Sequence, residues 1–165
     1  MIYRSSYVFF AKIFSILIAP YFKFFNFFRK KYDLQSIDVK TILVTEYHRI
    51  GDVIIIAPIL KSIKSNFPNA EIILVCNEAA KDLAEYLKLA DKVFGVSVPW
   101  TNWRWSFLEW YKIRNFAKNL HFLDIDLGID FKGDIRNSWF LWNTHPKVSF
   151  GYDTTGGGYF FTNTI

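Results

Sequence analysis

The residues best suited to chemistry lie in a polar turn between the apolar run Thr41–Thr45 and an amphipathic helical segment. Asp52 stands where this turn becomes the helix. In open α/β sheets that position faces the crevice beyond the carboxyl ends of the strands. A carboxylate there can take a proton from an attacking hydroxyl group, which is the role of a general base. It can equally serve only as the N-cap of the helix, because aspartate accepts hydrogen bonds from the first free amide groups.

Three neighbours of Asp52 in this turn are candidates for binding an acceptor substrate. Gly51 either gives the turn a backbone conformation closed to residues with a Cβ, or lets a ligand approach the backbone. The free amide groups at the helix start can also hold an anion. His48 and Arg49 can face an anionic acceptor, although such side chains are also common as plain solvated residues.

A second charged cluster follows the predicted fourth strand of the chain. It alternates acidic and basic residues: Asp130, Lys132, Asp134 and Arg136. Because the carboxyl ends of parallel strands share one edge of a sheet, we expect this cluster near Asp52. Lys132 and Arg136 can bind phosphate or carboxylate groups of an acceptor. The alternative is a solvated helix start with internal ion pairs.

Other catalytic patterns are missing from the sequence. It has no Walker loop, no GxGxxG motif and no GxSxG motif, so nucleotide hydrolysis, dinucleotide binding and serine hydrolase chemistry have no support. His121 and His145 lack partners at metal-ligand spacing, and Cys76 is the single cysteine. We therefore expect no metal site and no bound cofactor.

The elements that must position these residues alternate between strand and helix patterns. Continuous apolar runs such as Thr41–Thr45 are typical of strands buried on both faces of a sheet. The patterns predict strands at Thr41–Thr45, Glu71–Cys76, Lys92–Val96, Leu127–Phe131 and Lys147–Phe150, and helices at Asp52–Phe67, Glu78–Leu87, Trp105–Leu120 and Asp134–Trp142. Short links between them require right-handed crossovers and a parallel sheet. The predicted fold class is α/β, a Rossmann-like parallel sheet flanked by helices.

Charge is concentrated in the first 40 residues, which carry the entire net charge of +5. A nucleic-acid-binding domain needs a basic face of its own. The rest of the chain has equal numbers of basic and acidic residues, so we expect no nucleic-acid partner. A basic and aromatic extension instead favours binding to an anionic membrane surface. The lone Cys76 excludes an internal disulfide and favours a reducing, cytoplasmic location.

Residues 1–38 are expected to form an amphipathic membrane-associating helix and a linker, preceding a globular domain at residues 39–165. Most of Tyr7–Phe28 is apolar, and the polar residues within and beside it share one narrow stripe of the helix: Ser5, Lys12, Ser15, Lys23, Asn26 and Lys30. Three arrangements fit this pattern: a helix in the membrane interface through residues 1–32, a transmembrane anchor, or a helix packed on the protein itself. Pro20 is expected to kink or interrupt the helix.

The last segment, Asp153–Ile165, contains the consecutive glycines Gly156–Gly158 and is expected to form a loop that no further element follows. The glycines can form a mobile acceptor-binding loop or a simple turn. Such an ending is typical of the middle of a longer protein. The aromatic run between Trp100 and Tyr111 can form a second membrane-facing patch, or else belong to a helix core and an exposed loop.

Three blocks of sequence resemble the glycosyltransferase family 9 heptosyltransferases. The first is Ile42–Pro58, which includes Ile-Gly-Asp-Val and Ala-Pro. The second is Phe67–Ile72, at the end of a helix and the start of a strand. The third is Asp126–Arg136, followed by Val148–Tyr152 and the triple glycine. Each block alone is a weak signal, but their order and spacing together are fairly specific.

The resemblance implies two Rossmann-like domains in the GT-B arrangement, of which this chain corresponds to the N-terminal, acceptor-binding half. The implied reaction is the inverting transfer of a sugar, typically a heptose in this family, from a nucleotide-sugar such as ADP-heptose. The implied acceptor is lipopolysaccharide or another surface glycan, and the implied general base is Asp52. The nucleotide-sugar is a co-substrate rather than a cofactor.

The single cysteine and the basic, aromatic N-terminal segment together predict a cytoplasmic protein, peripheral on the inner face of the cell membrane. Without a donor domain the chain is expected not to turn over. The rival interpretation is a glycan- or membrane-binding module without chemistry, or a truncated gene product.

Overall fold

The computed structural model describes residues 5–30, 32–47, 49–101 and 106–165. These residues form a six-stranded sheet in which all neighbouring strands run parallel. The strands are β1 (Thr41–Glu46), β2 (Glu71–Asn77), β3 (Lys92–Val96), β4 (Leu127–Asp130), β5 (Val148–Gly151) and β6 (Asn163–Thr164). Their order across the sheet is β3-β2-β1-β4-β5-β6, so β1 is central. The predicted α/β class with a parallel sheet is confirmed.

The described residues contain an N-terminal helix and five further α-helices around the sheet. They are α1 (Ser5–Phe27), α2 (Ile50–Ile55), α3 (Ala57–Asn66), α4 (Glu78–Tyr86), α5 (Phe107–Leu120) and α6 (Ile135–Asn143), with short 3-10 turns at Leu34–Ser36, His121–Leu123 and Gly158–Phe160. The other predicted helices and strands match these closely at both ends, but the one predicted at Asp52–Phe67 is split in two.

Pro58 explains why the predicted helix Asp52–Phe67 is split. The break falls at Ile56, and Pro58 lies in the first turn of α3. Proline has no amide hydrogen and its ring clashes with the preceding turn, so it is tolerated in a first turn but not in a helix interior. The amide of Ile56 instead closes α2 by bonding to the carbonyls of Asp52 and Ile54. A new helix therefore starts directly after it.

Two apolar layers enclose the sheet, because successive side chains of β1 point to opposite faces. Leu43 packs into one layer, which α5 and α6 cover with residues such as Ile113 and Phe140. Ile42 and Val44 pack into the other, which α2, α3 and α4 cover with residues such as Val53, Leu60 and Ala80. Helices on both faces explain why the strand sequences are continuously apolar. Trp100 and Trp110 belong to the first layer, whereas Trp103 and Trp105 lie outside the described residues.

Helix α1 packs on the protein, and it does so through part of its polar stripe. The Ser15 hydroxyl accepts a hydrogen bond from the Gly157 amide at 2.9 Å. The Asn26 side chain accepts one from the Trp142 indole at 2.7 Å and donates one to the Tyr159 carbonyl. Much of its remaining apolar surface is left outward and exposed: Phe9, Ile13, Ile16, Leu17, Tyr21, Phe24, Phe25 and Phe27. One of the three predicted arrangements, packing on the protein, is thus observed.

Pro20 was expected to kink or interrupt helix α1, and the interruption is not found, because the helix is continuous through this residue. With 23 residues and a mean hydropathy of 1.7, it is long and apolar enough to cross a membrane by length and composition. Only 6% of that span is buried inside the protein. The outward apolar surface therefore has no partner within the part of the chain that the structure describes.

The C-terminal segment corrects a second expectation, because ordered elements follow the triple glycine. A 3-10 turn at Gly158–Phe160 leads to β6, which pairs with β5 at the edge of the sheet. Thr162 fixes this return by exchanging hydrogen bonds with Ser149, whose amide donates to the Thr162 hydroxyl at 2.8 Å. The sequence pattern missed β6 because two residues are too short for a period to be read.

Candidate active site at the carboxyl edge of the sheet

The candidate site lies where β1 and β4 end side by side. Thr45 of β1 is in register with Asp130, the last residue of β4. The chain leaves β1 toward β2 on one side, while β4 lies on the other, which makes this the topological switch point of the sheet. Open α/β sheets bind ligands in the crevice at that point. The predicted meeting of the Asp52 turn and the Asp130–Arg136 segment is therefore observed.

Lys132 joins the two segments through an ion pair with Asp52. Its ammonium Nζ lies 3.0 Å from Asp52 Oδ2 and 3.9 Å from Glu46 Oε1. The side chains of Lys132 and Glu46 are 8% and 3% exposed, whereas that of Asp52 is 32% exposed. The buried lysine therefore holds two acids, of which Asp52 is the one that faces solvent. A substrate hydroxyl can approach Asp52 without disturbing the buried partners.

Asp52 does not cap α2, contrary to the alternative considered from the sequence. The helix begins at Ile50, so Asp52 lies within its first turn, and Arg49 occupies the N-cap position without a side-chain capping bond. The carboxylate points instead to Lys132 on the neighbouring strand end. An acidic residue in the first turn still interacts favourably with the helix dipole. The capping explanation for Asp52 is thus wrong, which removes the simplest purely structural reason for an aspartate there.

Gly51 corrects one expectation and leaves another open. Its backbone conformation is helical rather than left-handed, so the turn does not require a residue without a Cβ. A Cβ built at this position would meet no atom within 4 Å. The glycine therefore leaves open space beside the first turn of α2. The remaining prediction is that a ligand approaches the backbone here.

Asp130 is a site residue whose environment the sequence did not reveal. Its carboxylate is buried and accepts hydrogen bonds from the Thr45 hydroxyl at 3.3 Å and from the amides of Lys132 and Gly133 at 3.4 Å each. Burial raises the pKa of Asp130 to about 7, and the charge of Glu46 adds to the rise, although the two amide bonds oppose it. Near neutral pH this group can therefore bind or release a proton.

Glu46 is the second residue that the sequence analysis missed. The predicted strand ends at Thr45, which leaves Glu46 in the polar turn rather than at the end of β1. In the structure it is buried beside Lys132. The sequence feature that could have indicated Glu46 is an acidic residue directly after a continuous apolar run. An acid at the end of a buried strand is itself partly buried and needs a basic partner.

Arg136 lies apart from the Asp52–Lys132 pair. Asp134 is the N-cap of α6 and accepts hydrogen bonds from the Arg136 amide at 2.9 Å and from its Nε at 2.8 Å. The guanidinium group lies over the ring of Tyr7, 5.4 Å from the ring centre. The alternative of a helix start with an internal ion pair is therefore observed for these two residues. Of the two predicted basic ligands, Lys132 is the one at Asp52.

The remaining predicted site residues are placed as follows. Arg49 is exposed at the start of α2. His48 lies outside the described residues, so its predicted role stays a prediction. In the part of the chain that the structure describes, no three His, Cys, Asp or Glu side chains are grouped as metal ligands would be. The triple glycine contacts α1 through Gly157 and Ser15, so this stretch of the loop is a docking surface for the helix.

Comparison with known proteins places this geometry in a recognised fold. No protein-family model matches the chain, and no curated protein does. The glycosyl transferase family 9 protein from Veillonella parvula superposes with a TM-score of 0.60 and 22% identity, over 74% of this chain and 33% of that one. Escherichia coli ADP-heptose lipopolysaccharide heptosyltransferase II superposes with a TM-score of 0.63 and 11% identity, over 75% of this chain and 34% of that one. Escherichia coli heptosyltransferase WaaC, solved with ADP-2-deoxy-2-fluoro heptose, superposes with a TM-score of 0.62 and 18% identity, over 76% of this chain and 42% of that one.

These similarities show the fold. The chain spans between a third and about two fifths of the length of the proteins it matches. The predicted resemblance to family 9 glycosyltransferases is confirmed at this level, since the chain has the Rossmann-like sheet found in one part of the heptosyltransferase structures.

Proposed function

We propose that this chain is the acceptor-binding domain of an inverting glycosyltransferase that works at a membrane surface. The observation that carries the proposal is the Asp52–Lys132 ion pair at the switch point of a heptosyltransferase-like sheet. Ligands of open α/β folds bind at such a point. A partly exposed carboxylate held there by a buried lysine is suited to take a proton from a substrate hydroxyl.

In the proposed reaction an acceptor hydroxyl oxygen attacks the anomeric carbon of the donor sugar. The bond from that carbon to the nucleotide diphosphate breaks as the glycosidic bond forms on the opposite face, so the configuration inverts. The hydroxyl proton passes to the Asp52 carboxylate, and the diphosphate leaves with the bonding electron pair. Lys132 keeps the carboxylate oriented, because its ammonium group is itself fixed between Asp52 and Glu46.

The proposed donor is a nucleotide-sugar, and ADP-heptose is the first candidate. Two of the structural neighbours are named heptosyltransferases, and one was solved with an analogue of ADP-heptose. We assign the nucleotide to a second domain of the GT-B arrangement. The part of the reaction assigned to this chain is to hold the acceptor and remove its proton.

The proposed acceptor is lipopolysaccharide or another glycolipid with anionic groups near the reacting hydroxyl. Gly51 leaves open space where a Cβ would stand, and Arg49, two residues before it, is exposed. A guanidinium group at this place suits phosphate or carboxylate groups of an acceptor. His48, which precedes Arg49 in the sequence, and Arg136, at the start of α6, remain proposed acceptor ligands.

The proposed location is the inner face of the cell membrane, with α1 lying in the interface. Its outward surface is rich in phenylalanine and isoleucine, and the side chains of Lys12, Lys23 and Lys30 are exposed. Such a helix buries its apolar side chains at the level of the acyl chains and keeps its basic groups among anionic headgroups. This location would bring the site to a lipid-linked acceptor.

A binding experiment on the chain itself tests the proposal. The deacylated, heptose-free oligosaccharide of lipopolysaccharide is titrated into ¹⁵N-labelled protein, and amide shifts are followed by NMR. Saturable shifts are expected at Gly51, Asp52 and Lys132. Their absence, in a protein that still binds anionic vesicles, would favour the rival function of a membrane-binding module without chemistry.

A further inference from the structure

An apolar pocket of about 550 Å³ lies between α1 and the body of the protein. This volume is typical of small-molecule sites, which range over about 300–1,000 Å³. Its walls are almost entirely hydrocarbon and aromatic, with Ala11, Ile18 and Phe22 of α1 facing Trp110, Trp139 and Phe160. The pocket is separate from the Asp52–Lys132 pair and has no part in the proposed proton transfer.

The chemistry of the walls restricts what the pocket can bind. Its one charged side chain, Arg136, is paired with the buried Asp134, so the walls carry no net charge. A peptide or a nucleotide would bring polar groups that lose their hydrogen bonds to water on entering such a space, at a cost of roughly 1–3 kcal/mol each. A hydrocarbon chain brings none. Each methylene group it buries contributes about 0.8 kcal/mol.

The position of the pocket connects it to the membrane and to the site. One wall is α1, whose opposite surface is the exposed phenylalanine-rich one, so a chain can pass from a bilayer into the pocket along apolar surface. The other wall includes Ile135, three residues after Lys132. Because an extended chain spans at most about 3.5 Å per residue, the backbones at these two positions are within about 11 Å of each other.

We propose that this pocket binds one acyl chain of the glycolipid acceptor, while the sugar portion of the same molecule lies at Asp52. The inference rests on the proposed function and adds the lipid class of substrate to it. It gives α1 a second role, as the wall of a substrate-binding pocket as well as a contact with the membrane.

Photolabelling of the intact chain tests this proposal without a substituted protein. A dodecanoic acid with a terminal diazirine is bound in solution, irradiated, and mapped by mass spectrometry. Labels are expected on Ala11, Ile18, Trp110 or Trp139, and excess unlabelled dodecanoic acid should abolish them. Labels confined to the outward residues of α1, such as Leu17, or labels that no competitor reduces, would overturn the proposal.

Substitutions give a second, quantitative test with cis-parinaric acid, a fatty acid that fluoresces in apolar surroundings. Ala11→Phe fills the pocket, so the dissociation constant should rise at least about tenfold. The matched control Leu17→Phe adds a ring to the outer side of the same helix, where Leu17 is 73% exposed, and should leave binding unchanged. Equal binding by both variants and the wild type would contradict an acyl-chain site here.

The two proposals fail independently in these experiments. Specific photolabelling of the pocket, together with no oligosaccharide shifts at Asp52, would leave a lipid-binding protein and remove the transferase proposal. Oligosaccharide shifts at Asp52 in a protein whose pocket takes no label would retain the acceptor domain and remove the acyl-chain site.

Discussion

Glu46, Asp52 and Asp130 all contact Lys132, but the three acids are placed differently. Glu46 and Asp52 share the ammonium group, whereas Asp130 accepts from the backbone amide of the same residue. Glu46 and Asp130 are buried, and Asp52 is partly exposed. A reacting group must meet its substrate, whereas a positioning group need not. This difference in exposure is why we assign the proton transfer to Asp52 and a supporting role to the other two.

The first prediction concerns Asp52→Asn, measured where the domain is joined to a donor domain. The amide keeps the size of the carboxylate and an oxygen for Lys132, but it cannot accept a proton near neutral pH. General-base catalysis contributes typically about 10²–10⁴-fold, so kcat should fall within that range. Thermal unfolding should change little. Asp82→Asn, on the exposed side of α4, is the matched control and should retain full activity.

Full activity of the Asp52→Asn protein would assign the base role elsewhere, first to Asp130. A large loss of thermal stability in the same protein would show that the charge of Asp52 is needed mainly to balance Lys132. In that case Asp52→Asn alone could not separate catalysis from folding.

The second prediction concerns the raised pKa of Asp130. The folded protein holds its proton up to about pH 7, whereas the unfolded chain releases it near the ordinary value of 3.8. The folded state thus binds more protons between these values, and stability conferred at low pH is lost as pH rises through about 7. Asp130→Asn does not titrate, so its melting temperature should vary less than that of the wild type between about pH 4 and about pH 8.

The same pair of melting curves contains its own check. Each unit by which the pKa differs between the folded and unfolded states corresponds to about 1.4 kcal/mol of unfolding free energy. The rise in the pKa of Asp130 is therefore large enough to change the melting temperature measurably. If the melting temperatures of the wild type and Asp130→Asn changed with pH in parallel, the pKa of Asp130 would not be raised as its burial implies. Asp82→Asn, at an exposed position on α4, is the control for the substitution itself.

At the scale of elements, α1 and the loop that contains Gly156–Gly158 pack closely against each other, and neither sequence segment predicts this contact by itself. Gly156 and Gly157 both have positive φ angles, at 93° and 94°. A Cβ on Gly156 would lie 2.5 Å from the Ser15 Cβ, closer than atoms of that kind approach. The loop therefore requires glycine for two reasons, the backbone conformation and the contact with the helix.

The third prediction compares Gly156→Ala with Ser15→Ala. Gly156→Ala should destabilise the docked helix by more than about 1 kcal/mol, because it adds a steric clash to an unfavourable positive φ. Ser15→Ala removes one acceptor from the Gly157 amide and should cost about 1 kcal/mol. Limited proteolysis should release α1 faster from both proteins. Gly51→Ala, where a Cβ has open space, is the control and should not accelerate that release.

At the scale of the whole molecule, α1 has one side on the protein and an apolar side that faces outward. The fourth prediction is that deleting residues 1–36 moves the protein from the vesicle pellet to the supernatant. A gentler variant combines Phe9→Ser, Phe24→Ser and Phe28→Ser, all at exposed positions. Because a buried phenylalanine contributes about 1.5–3 kcal/mol, vesicle binding should weaken at least about tenfold.

The triple variant is needed because the deletion also uncovers Trp142 and Phe160, which Phe22 of α1 covers. Tyr86→Ser, at an exposed position on α4, is the control for loss of a surface aromatic residue. Unchanged pelleting of the triple variant would place the membrane contact elsewhere, for example near Trp100–Trp110. Vesicle binding that does not weaken when salt is added would argue against a role for the basic residues of α1.

The sequence by itself determined the parallel α/β sheet and the meeting of Asp52 with the segment after β4. These depend on local periodicity and on connection rules, both of which can be read along the chain. Tertiary structure alone decided which charges are buried and paired. Lys132 and Asp52 are 80 residues apart, and Gly157 and Ser15 are 142 apart. Burial, pKa and docking contacts arise only where such distant residues meet, so no local pattern records them.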